Sequence, residues 1–378
     1  MYYYIHEDKN YCKLSVFNIH STPLEGKGNM RIINLLLVMT LLYLTGCGEQ
    51  SSGINWDMPT PYTETVFHTK NIEQFTKDIK QATQDTISIR IHAGASLYKH
   101  TEIKRAVRGG QVAIGEVLIS LLSNEDPLFK IDVLPLLATD YVQAKILWQT
   151  SRVAIEKALD EKGLKLLFAV PWPPQGLYSK KAIHSLDDIK GLKIRAYNAM
   201  LSRLVELMGG IPTTVQEPEI QQAFSTGIID AMMTSPSTGV SSQAWDYVKY
   251  YYDFQAWIPK NMVIINKEIF AELLPATQEQ ILQAAAKAEE RGWAMSAKET
   301  NDKIAIMAEH GVQIMQPKQK LKQELSLIRQ QMAQEWLKEA GEEGKTILSS
   351  YLQDVYQHNL TEKASTFTSG LNNTEQPK

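Results

Sequence analysis

The hydrophobic and polar positions along the chain follow two different periods. Ile87, Ile89 and Ile91 are separated by polar residues, which predicts a strand with one buried face. Between residues 71 and 84 the apolar side chains recur at helical spacing, and a stretch rich in Ala, Glu and Lys predicts a long helix from 277 to about 310. Segments of both kinds alternate along the chain, which is typical of an α/β fold.

A nearly continuous apolar run, LKLLFAV at residues 164–170, predicts a parallel strand that is covered on both faces. Further strands are expected at residues 54–59, 192–196, 228–233, 261–266 and 312–315, and further helices at 101–109, 140–161, 201–208 and 218–226. The pattern therefore favours α/β architecture with mostly parallel sheets. The polar stretch at 361–378 predicts a disordered tail.

One segment, residues 32–44, is apolar enough to enter a membrane, but its roughly 13 residues are fewer than the 20 or so that span a bilayer. Met30 and Arg31 precede it and Leu-Thr-Gly-Cys follows, ending at Cys47, which is typical of a secretory signal peptide over residues 30–46. The last four residues resemble the lipobox of bacterial lipoproteins. A buried helix that ends beside a chance cysteine is the alternative.

The lipobox resemblance implies that the Cys47 thiol is acylated and anchors the protein to a membrane of the bacterial periplasm or cell envelope. Residues 47–53 are then expected to form a flexible polar tether. Residues 1–29 precede a complete signal with its own methionine, so we interpret them as a mis-called start. The mature domain would then have no free thiol, which fits an oxidising compartment.

The composition narrows the class of protein further. A chain of 378 residues exceeds what one hydrophobic core usually serves, so two lobes are expected. With 39 basic and 42 acidic residues there is no electrostatic footprint for nucleic acid. Two cysteines cannot form a zinc site alone, and His68, His100 and Glu102 lack the spacing of metal ligands. We therefore expect no cofactor and no metal.

A series of short motifs resembles one family of solute receptors. The series consists of GLKIR at 191–195, GIPT at 210–213, Glu219, Ala223 and TGIID at 226–230. Its order and spacing are similar to those of the solute-binding subunits of tripartite ATP-independent periplasmic (TRAP) transporters, the family typified by C4-dicarboxylate and sialic acid binders. The resemblance extends over residues 56–357. It implies a two-lobed fold like that of periplasmic binding proteins, with a cleft between the lobes and a long helix spanning both.

We expect lobe I to comprise residues 54–175 and 257–300, and lobe II to comprise 176–256 and 301–360. The resemblance implies that the protein captures a small organic anion by closing the cleft. The anion could be a carboxylate such as a sugar acid or keto acid, or a sulfonate. Delivery to the TRAP permease in the membrane would follow, and the protein itself would do no bond chemistry.

Arg195, in the first motif, is the hallmark ligand residue of that family. A guanidinium offers a planar fork of donors that matches a carboxylate, and the carboxyl end of a parallel strand faces the crevice of an open α/β sheet. Spacing alone leaves open whether Arg195 is a surface residue, whereas the resemblance implies a ligand role. It implies the same for Asn198, for which a position at a helix N-terminus is the alternative.

The chain departs from the family pattern at three points. Where the family carries an asparagine after Asp230, either Thr234 or Ser235 must substitute. Gln175 stands where the sialic acid binders carry a second arginine, which removes a positive charge. Glu217 stands near a position that is often aromatic. If it faced the cleft it would repel a second carboxylate and favour an amino or hydroxyl group, and the alternative is a solvated acid at a helix N-terminus.

Three aromatic residues, Tyr62, Trp172 and Trp257, are candidate walls of the pocket, because binding sites use aromatic rings as rigid apolar surfaces. The alternative for each is a place in the core. Glu116 interrupts the apolar stretch at 112–122. It is either a buried functional acid or an acid that is paired with a nearby base.

Three other classes of protein remain as alternatives. An envelope enzyme of α/β fold would need an acid–base or nucleophilic cluster, and the sequence offers none that we recognise. A ligand-sensing lipoprotein that docks a receptor kinase would share the fold. The binding protein of an ATP-driven importer is disfavoured by the motif series that runs from Arg195 to Asp230.

Overall fold

A computed structural model describes the backbone of residues 53–372 and the side chains of residues 53–360. The mis-called start, the signal peptide, the lipidated Cys47 and nearly all of the tether are predictions that lie outside these residues. No helix within the described part of the chain is both long enough and apolar enough to cross a membrane.

Helices and strands alternate along residues 53–372, as the hydrophobic pattern predicts. The α-helices are α1 (Phe67–Ala82), α2 (His100–Arg108), α3 (Tyr141–Asp160), α4 (Ala199–Leu207), α5 (Ile220–Ser225), α6 (Pro236–Ser241), α7 (Lys267–Ala271), α8 (Pro275–Glu309) and α9 (Gln319–Asn372). The strands are β1 (Ile54–Pro59), β2 (Ile87–His92), β3 (Ile114–Leu118), β4 (Leu164–Pro171), β5 (Gly176–Ser179), β6 (Lys193–Ala196), β7 (Ile211–Thr214), β8 (Ala231–Thr234), β9 (Tyr250–Tyr252), β10 (Lys260–Asn266) and β11 (Gln313–Met315).

The strands form three sheets: β1 with β2, a three-stranded sheet β3-β10-β4, and a six-stranded sheet β11-β9-β5-β8-β6-β7. The first sheet is parallel, the second is antiparallel and the third is mixed. Four of the eight strand pairings in the described chain are parallel, so the sheets are not mostly parallel as expected. The run at 164–170 is buried on both faces as predicted, but β4 pairs with β10 in the antiparallel direction. An apolar run reports burial and not strand direction, and β10 enters between β3 and β4 from the opposite end.

The first motif lies in the six-stranded sheet on the strand next to its β7 edge. Strand β6, which carries Arg195, runs parallel to both β7 and β8. Asp230, the last residue of the TGIID motif, fixes the start of β6, because its carboxylate accepts from the Lys193 N–H over 3.1 Å and its own N–H donates to the Lys193 carbonyl over 2.7 Å. The GLKIR and TGIID motifs therefore lie next to each other, at the pairing of β6 with β8.

The chain passes from β4 to β5 through residues 172–175 and returns from β9 to β10 through residues 253–259. These crossover segments lie side by side. The Trp172 N–H donates to the Pro259 carbonyl over 2.8 Å, and the Gln175 N–H donates to the Trp257 carbonyl over 3.0 Å. The two passages between the sheets are thus joined to each other by backbone hydrogen bonds.

Helix α8 is the long helix that the sequence predicts, and it begins with Pro275 at its first position, where a missing N–H costs nothing. It packs against α1 and β4 on one side of the molecule and against α6 and β11 on the other. Gly292 allows the close approach to β4, because a Cβ there would lie 2.4 Å from a methyl group of Val170. A single helix therefore contacts both lobes of the two-lobed fold.

Helix α9 is kinked at Gly341, whose φ is 60°. It bonds to residues of both predicted lobes: the Trp336 indole donates to the Pro127 carbonyl over 2.7 Å, and Glu335 forms an ion pair with Arg203 at 2.7 Å. This helix is therefore not confined to lobe II, to which we assigned residues 301–360. Its backbone continues to Asn372 through part of the stretch at 361–378 for which a disordered tail is expected, and residues 373–378 lie outside the described chain.

Candidate ligand-binding site

A cavity of about 440 Å³, counted to its open mouth, lies between the crossover segments and the carboxyl ends of β6 and β8. Most of the predicted ligand residues line it, namely Tyr62, Trp172, Gln175, Arg195, Glu217, Thr234 and Ser235. It is also lined by residues that were not predicted, namely His100, Leu118, Tyr197, Gln216, Thr238 and Pro259. Three predicted residues, Glu116, Asn198 and Trp257, do not line the cavity.

Arg195 is almost completely buried, with 4% of its surface exposed. Its Nε donates to the Val215 carbonyl over 2.9 Å, and its guanidinium lies 5.3 Å from the centre of the Tyr197 ring. Burial lowers the pKa of Arg195, but a guanidinium starts from so high a value that the group stays charged. No carboxylate among the described residues forms an ion pair with it, so the cavity contains a buried positive charge whose remaining N–H donors can bind an anion.

Glu217 supplies a negative charge to the same cavity. It begins a short 3₁₀ helix, Glu217–Glu219, but Glu219 is the acid that caps this turn, accepting from the Gln216 N–H over 3.0 Å. The Glu217 carboxylate accepts instead from the Ser241 hydroxyl over 2.9 Å. Burial raises the pKa of Glu217, and the Ser241 bond and the nearby Arg195 charge oppose that rise. The two alternatives for Glu217 were an acid that faces the cleft and a solvated acid at a helix N-terminus. The structure favours the first, because Glu217 lines the cavity.

Tyr62 and Trp172 form an aromatic wall, with their rings edge to face and 4.9 Å apart. Both polar ends of this wall bond to one atom. The Tyr62 hydroxyl donates to Asn261 Oδ1 over 3.2 Å, and the Trp172 indole N–H donates to the same oxygen over 2.9 Å. Two rings from distant parts of the sequence are thereby fixed relative to each other.

Glu116 lies behind this wall, not in the cavity, and only 1% of its surface is exposed. Its carboxylate accepts from Asn261 Nδ2 over 2.7 Å and from the Thr60 hydroxyl over 2.5 Å. His68 is 3.4 Å away, but burial lowers its pKa well below 6.5, so it is a neutral neighbour and not a paired base. Burial raises the pKa of Glu116 to about 7, against the opposing effect of these two hydrogen bonds.

Asn198 and Trp257 support the site from behind. The side-chain oxygen Oδ1 of Asn198 caps α4 by accepting from the Leu201 N–H over 2.8 Å, and its Nδ2 donates to the Ser120 hydroxyl over 2.8 Å. Trp257 lies behind Tyr197, to whose hydroxyl its indole donates over 3.2 Å. The structure therefore favours the helix-terminus alternative for Asn198 and a core position for Trp257.

Tyr197 lines the cavity, where Asn198 and Trp257 were expected. It is two residues beyond Arg195, and residues i and i+2 of an extended chain lie on one face. That periodicity was the available signal for it. Its hydroxyl donates to Gln175 Oε1 over 3.4 Å, and Gln175 Nε2 donates to the Pro173 carbonyl over 2.8 Å. Gln175 therefore lines the cavity, and both the oxygen and the nitrogen of its side-chain amide already form hydrogen bonds within the protein.

Hydroxyl groups complete the lining at the end of β8. The Ser235 hydroxyl caps α6 by accepting from the Thr238 N–H over 3.1 Å, and it also donates to the Thr238 hydroxyl over 3.2 Å. Thr234 ends the strand and lies beside them at the cavity. Both candidates for the missing asparagine are thus at the site, and Ser235 has the additional role of a helix cap.

His100 lines the cavity, although the sequence analysis considered it only as a metal ligand and rejected that role. Its Nε2 accepts from the Leu118 N–H over 3.1 Å. Burial, together with the positive charge of Arg195, lowers the pKa of His100 to about 3, so the ring is neutral. Within residues 53–360, no group of three or more His, Cys, Asp and Glu side chains is arranged to hold a metal ion.

Comparisons with known proteins agree on one family. Residues 61–341 match the family described as bacterial extracellular solute-binding protein, family 7. Two solved structures from Bordetella pertussis, the extracytoplasmic solute receptors DctP6 and DctP7, bind pyroglutamic acid; they are 42% and 44% identical to this chain, each with a TM-score of 0.78, and each alignment covers 79% of this chain and 99% of theirs.

A third solved structure is a TRAP solute-binding protein specific for pyroglutamate from an unidentified marine microbe. It is 34% identical with a TM-score of 0.79, and the alignment covers 80% of this chain and 99% of that one. The family match covers most of the chain, and these relatives align over nearly their whole length. The chain therefore belongs to family 7 of the bacterial extracellular solute-binding proteins and is a solute receptor of the TRAP transporter type.

Proposed function

We propose that this receptor captures pyroglutamate or a closely similar cyclic amide acid. The observation that carries the proposal is that Arg195 and Glu217 line one small cavity, where Arg195 bonds to the Val215 carbonyl and Glu217 accepts from Ser241. One buried cation and one carboxylate suit a ligand that has an acid group and an N–H group. Receptors that are 34–44% identical to this chain and bind pyroglutamate support the same choice.

Each charged group has a distinct role in this proposal. The Arg195 guanidinium binds the ligand carboxylate through charge-assisted hydrogen bonds, which are stronger than those between neutral groups. Glu217 accepts a hydrogen bond from the ring N–H of the ligand, since an ionised carboxylate can only accept. A ligand with a second carboxylate would meet Glu217 as a like charge, so dicarboxylates are selected against.

The remaining lining suits a compact ring. The edge-to-face pair of Tyr62 and Trp172 provides an apolar wall for the ring carbons. The cavity is small, and the buried side chains of Arg195 and Trp172 lie at its lining. A single small ring with its carboxylate fits this space better than an extended chain.

The site lies where closure of two lobes would enclose it. Arg195 and Glu217 belong to the six-stranded side of the molecule, whereas Tyr62 comes from the loop after β1. A ligand that touches both sides stabilises the closed form by as much as it binds that form more tightly than the open one. The closed, loaded receptor would then deliver the unchanged ligand to a TRAP permease, with no bond chemistry on the receptor.

We further propose that Cys47 is lipidated and anchors the receptor to a membrane of the cell envelope. The lipobox-like sequence before Cys47 and the extracellular family of the folded domain support this. Incorporation of a labelled fatty acid into the wild type and into Cys47→Ser tests it. Label is expected in the wild type alone, and equal labelling of both proteins would contradict the proposal.

The ligand is tested by isothermal titration of the purified domain with pyroglutamate, proline, glutamate and succinate. Pyroglutamate is expected to bind most tightly, proline more weakly because it has no ring carbonyl, and succinate least because of its second carboxylate. Mass spectrometry of the released ligand should recover it unchanged. If succinate binds more tightly than pyroglutamate, the proposed role of Glu217 is wrong.

A further inference from the structure

His100 is the first residue of α2, and one of its ring nitrogens has a fixed role. Nε2 accepts from the backbone N–H of Leu118 over 3.1 Å. A backbone N–H can only donate, so Nε2 carries no proton in this bond. The ring is neutral, because burial and the Arg195 charge lower its pKa to about 3. A neutral imidazole carries one proton, and that proton must therefore be on Nδ1.

The Nδ1–H group is the remaining donor of the ring. No acceptor within residues 53–360 is hydrogen-bonded to it, and His100 lines the ligand cavity. The ring is held on two sides, by the Leu118 bond and by the Tyr62 ring, which lies edge to face with a centroid distance of 5.5 Å. A donor that is already oriented costs little further entropy when a ligand binds to it.

We propose that His100 is a ligand-contacting residue of this receptor and that it donates its Nδ1–H to an oxygen atom of the bound acid. The inference rests on the proposed function only in taking the ligand to be an organic acid. A neutral donor adds a hydrogen bond beside Arg195 without adding a second buried positive charge. It is therefore compatible with a cavity in which Gln175 stands where some relatives of this type have a second arginine.

The two amide replacements of His100 separate a ligand contact from a structural role. In His100→Gln, the amide oxygen can reach the position of Nε2, so the bond from Leu118 is kept and the Nδ1 donor is lost. In His100→Asn, the shorter amide can place its NH₂ group near the position of Nδ1, so a donor to the ligand is kept and the Leu118 bond is lost. The control is His92→Gln, because His92 pairs with Asp57 at 2.7 Å and does not line the cavity.

The measurements are the dissociation constant by isothermal titration and the melting temperature without ligand. His100→Gln is expected to bind roughly 10-fold or more weakly at a nearly unchanged melting temperature, because it loses one hydrogen bond to the ligand. His100→Asn is expected to melt earlier yet to keep its affinity within about 3-fold. If His100→Gln binds as the wild type does while His100→Asn binds weakly, His100 is structural and the proposal is overturned.

The choice of ligand keeps this result separate from the proposed function. The titrations use the acid that binds the wild type most tightly, so failure of pyroglutamate to bind removes that ligand and not the His100 test. With pyroglutamate and proline, loss of affinity for both assigns the bond to the carboxylate, and loss for pyroglutamate alone assigns it to the ring carbonyl. Nitrogen-15 NMR of the imidazole checks the tautomer without ligand, and a proton on Nε2 would overturn the proposal.

Discussion

The side-chain amide of Asn261 donates to Oε1 of Glu116 over 2.7 Å. An amide has one donor end and one acceptor end, so this bond forces Asn261 Oδ1 to face the opposite way, toward Tyr62 and Trp172. Glu116 therefore acts on the ligand cavity without touching it. It sets the orientation of the one atom to which both rings of the aromatic wall are bonded.

Replacing Glu116 by leucine should destabilise the fold much more than replacing it by glutamine. Leucine leaves the Asn261 amide and the Thr60 hydroxyl without an acceptor in a buried place, and each such loss costs about 1–3 kcal/mol. Glutamine keeps both bonds, because its oxygen accepts from Asn261 and its NH₂ group donates to the Thr60 oxygen. Urea unfolding of the two variants, followed by circular dichroism, measures the difference, and equal free energies of unfolding would refute it.

The contribution of Glu116 to the stability of the wild type should fall as the pH rises toward neutrality. The pKa of Glu116 is raised from its ordinary value of 4.5 to about 7, so the folded state binds this proton more tightly than the unfolded chain. Its contribution is complete below about pH 4.5 and is lost by about pH 7, an effect on the order of 3 kcal/mol.

The pH dependence is isolated by comparing the wild type with Glu116→Gln, in which the side chain cannot ionise. Asp132, whose pKa is also raised by burial, to about 6, contributes a fall of the same sign to both proteins and cancels in the difference. The free energy of unfolding is measured by urea titration at several pH values. Glu116→Gln should gain stability relative to the wild type with rising pH, and parallel curves would exclude Glu116 as the cause.

Arg195→Lys should weaken ligand binding although the positive charge is kept. Lysine loses the planar fork and the bond from Nε to the Val215 carbonyl, so we expect affinity to fall by about 10- to 100-fold. Arg195→Ala should weaken it further. Arg203→Lys is the matched control, since Arg203 pairs with Glu335 away from the cavity. Thermal shift with the best acid is a second check: equal stabilisation of the wild type and Arg195→Ala would mean that the anchor is elsewhere.

Gly292→Ala should destabilise the protein even though alanine favours helices by about 1 kcal/mol. The new methyl group would overlap the Val170 side chain at 2.4 Å, and overpacking of a core costs about 1–3 kcal/mol. The double variant with Val170→Ala provides the test by urea unfolding. It should be less destabilised than the sum of the two single changes by about 1 kcal/mol, and simple additivity would show that the contact has no such cost.

Hydrophobic periodicity was enough to predict most helices and strands, because the spacing of apolar residues within each segment reflects which of its faces are buried. It could not give the direction of β4, which depends on how β10 enters beside it from a distant part of the chain. It also missed β5, β7 and β9, which are three or four residues long and too short to show alternation, and β3, which is buried throughout.

The residues of the candidate site also differ in whether the sequence could predict their roles. Arg195 could be placed by its motif, and Tyr197 by strand alternation, because both depend on neighbouring residues. Glu116 could not be separated from the cavity lining, because Asn261, which stands between them, is 145 residues further along the chain. His100 showed no local signal of a ligand role, since its orientation depends on a bond to Leu118 across a turn of the fold.

Trp172, Gln175 and Pro259 belong to the two crossover segments, and all three also line the cavity. In the proposed closure, the segments on which the lobes pivot are therefore the same segments that line the ligand cavity. Occupancy would be sensed at the hinge itself, with no relay from a distant site. Under this proposal, a substitution in these segments that changes which ligand shape fits would also change the angle at which the lobes close, so selectivity and gating would be coupled in one pair of short segments.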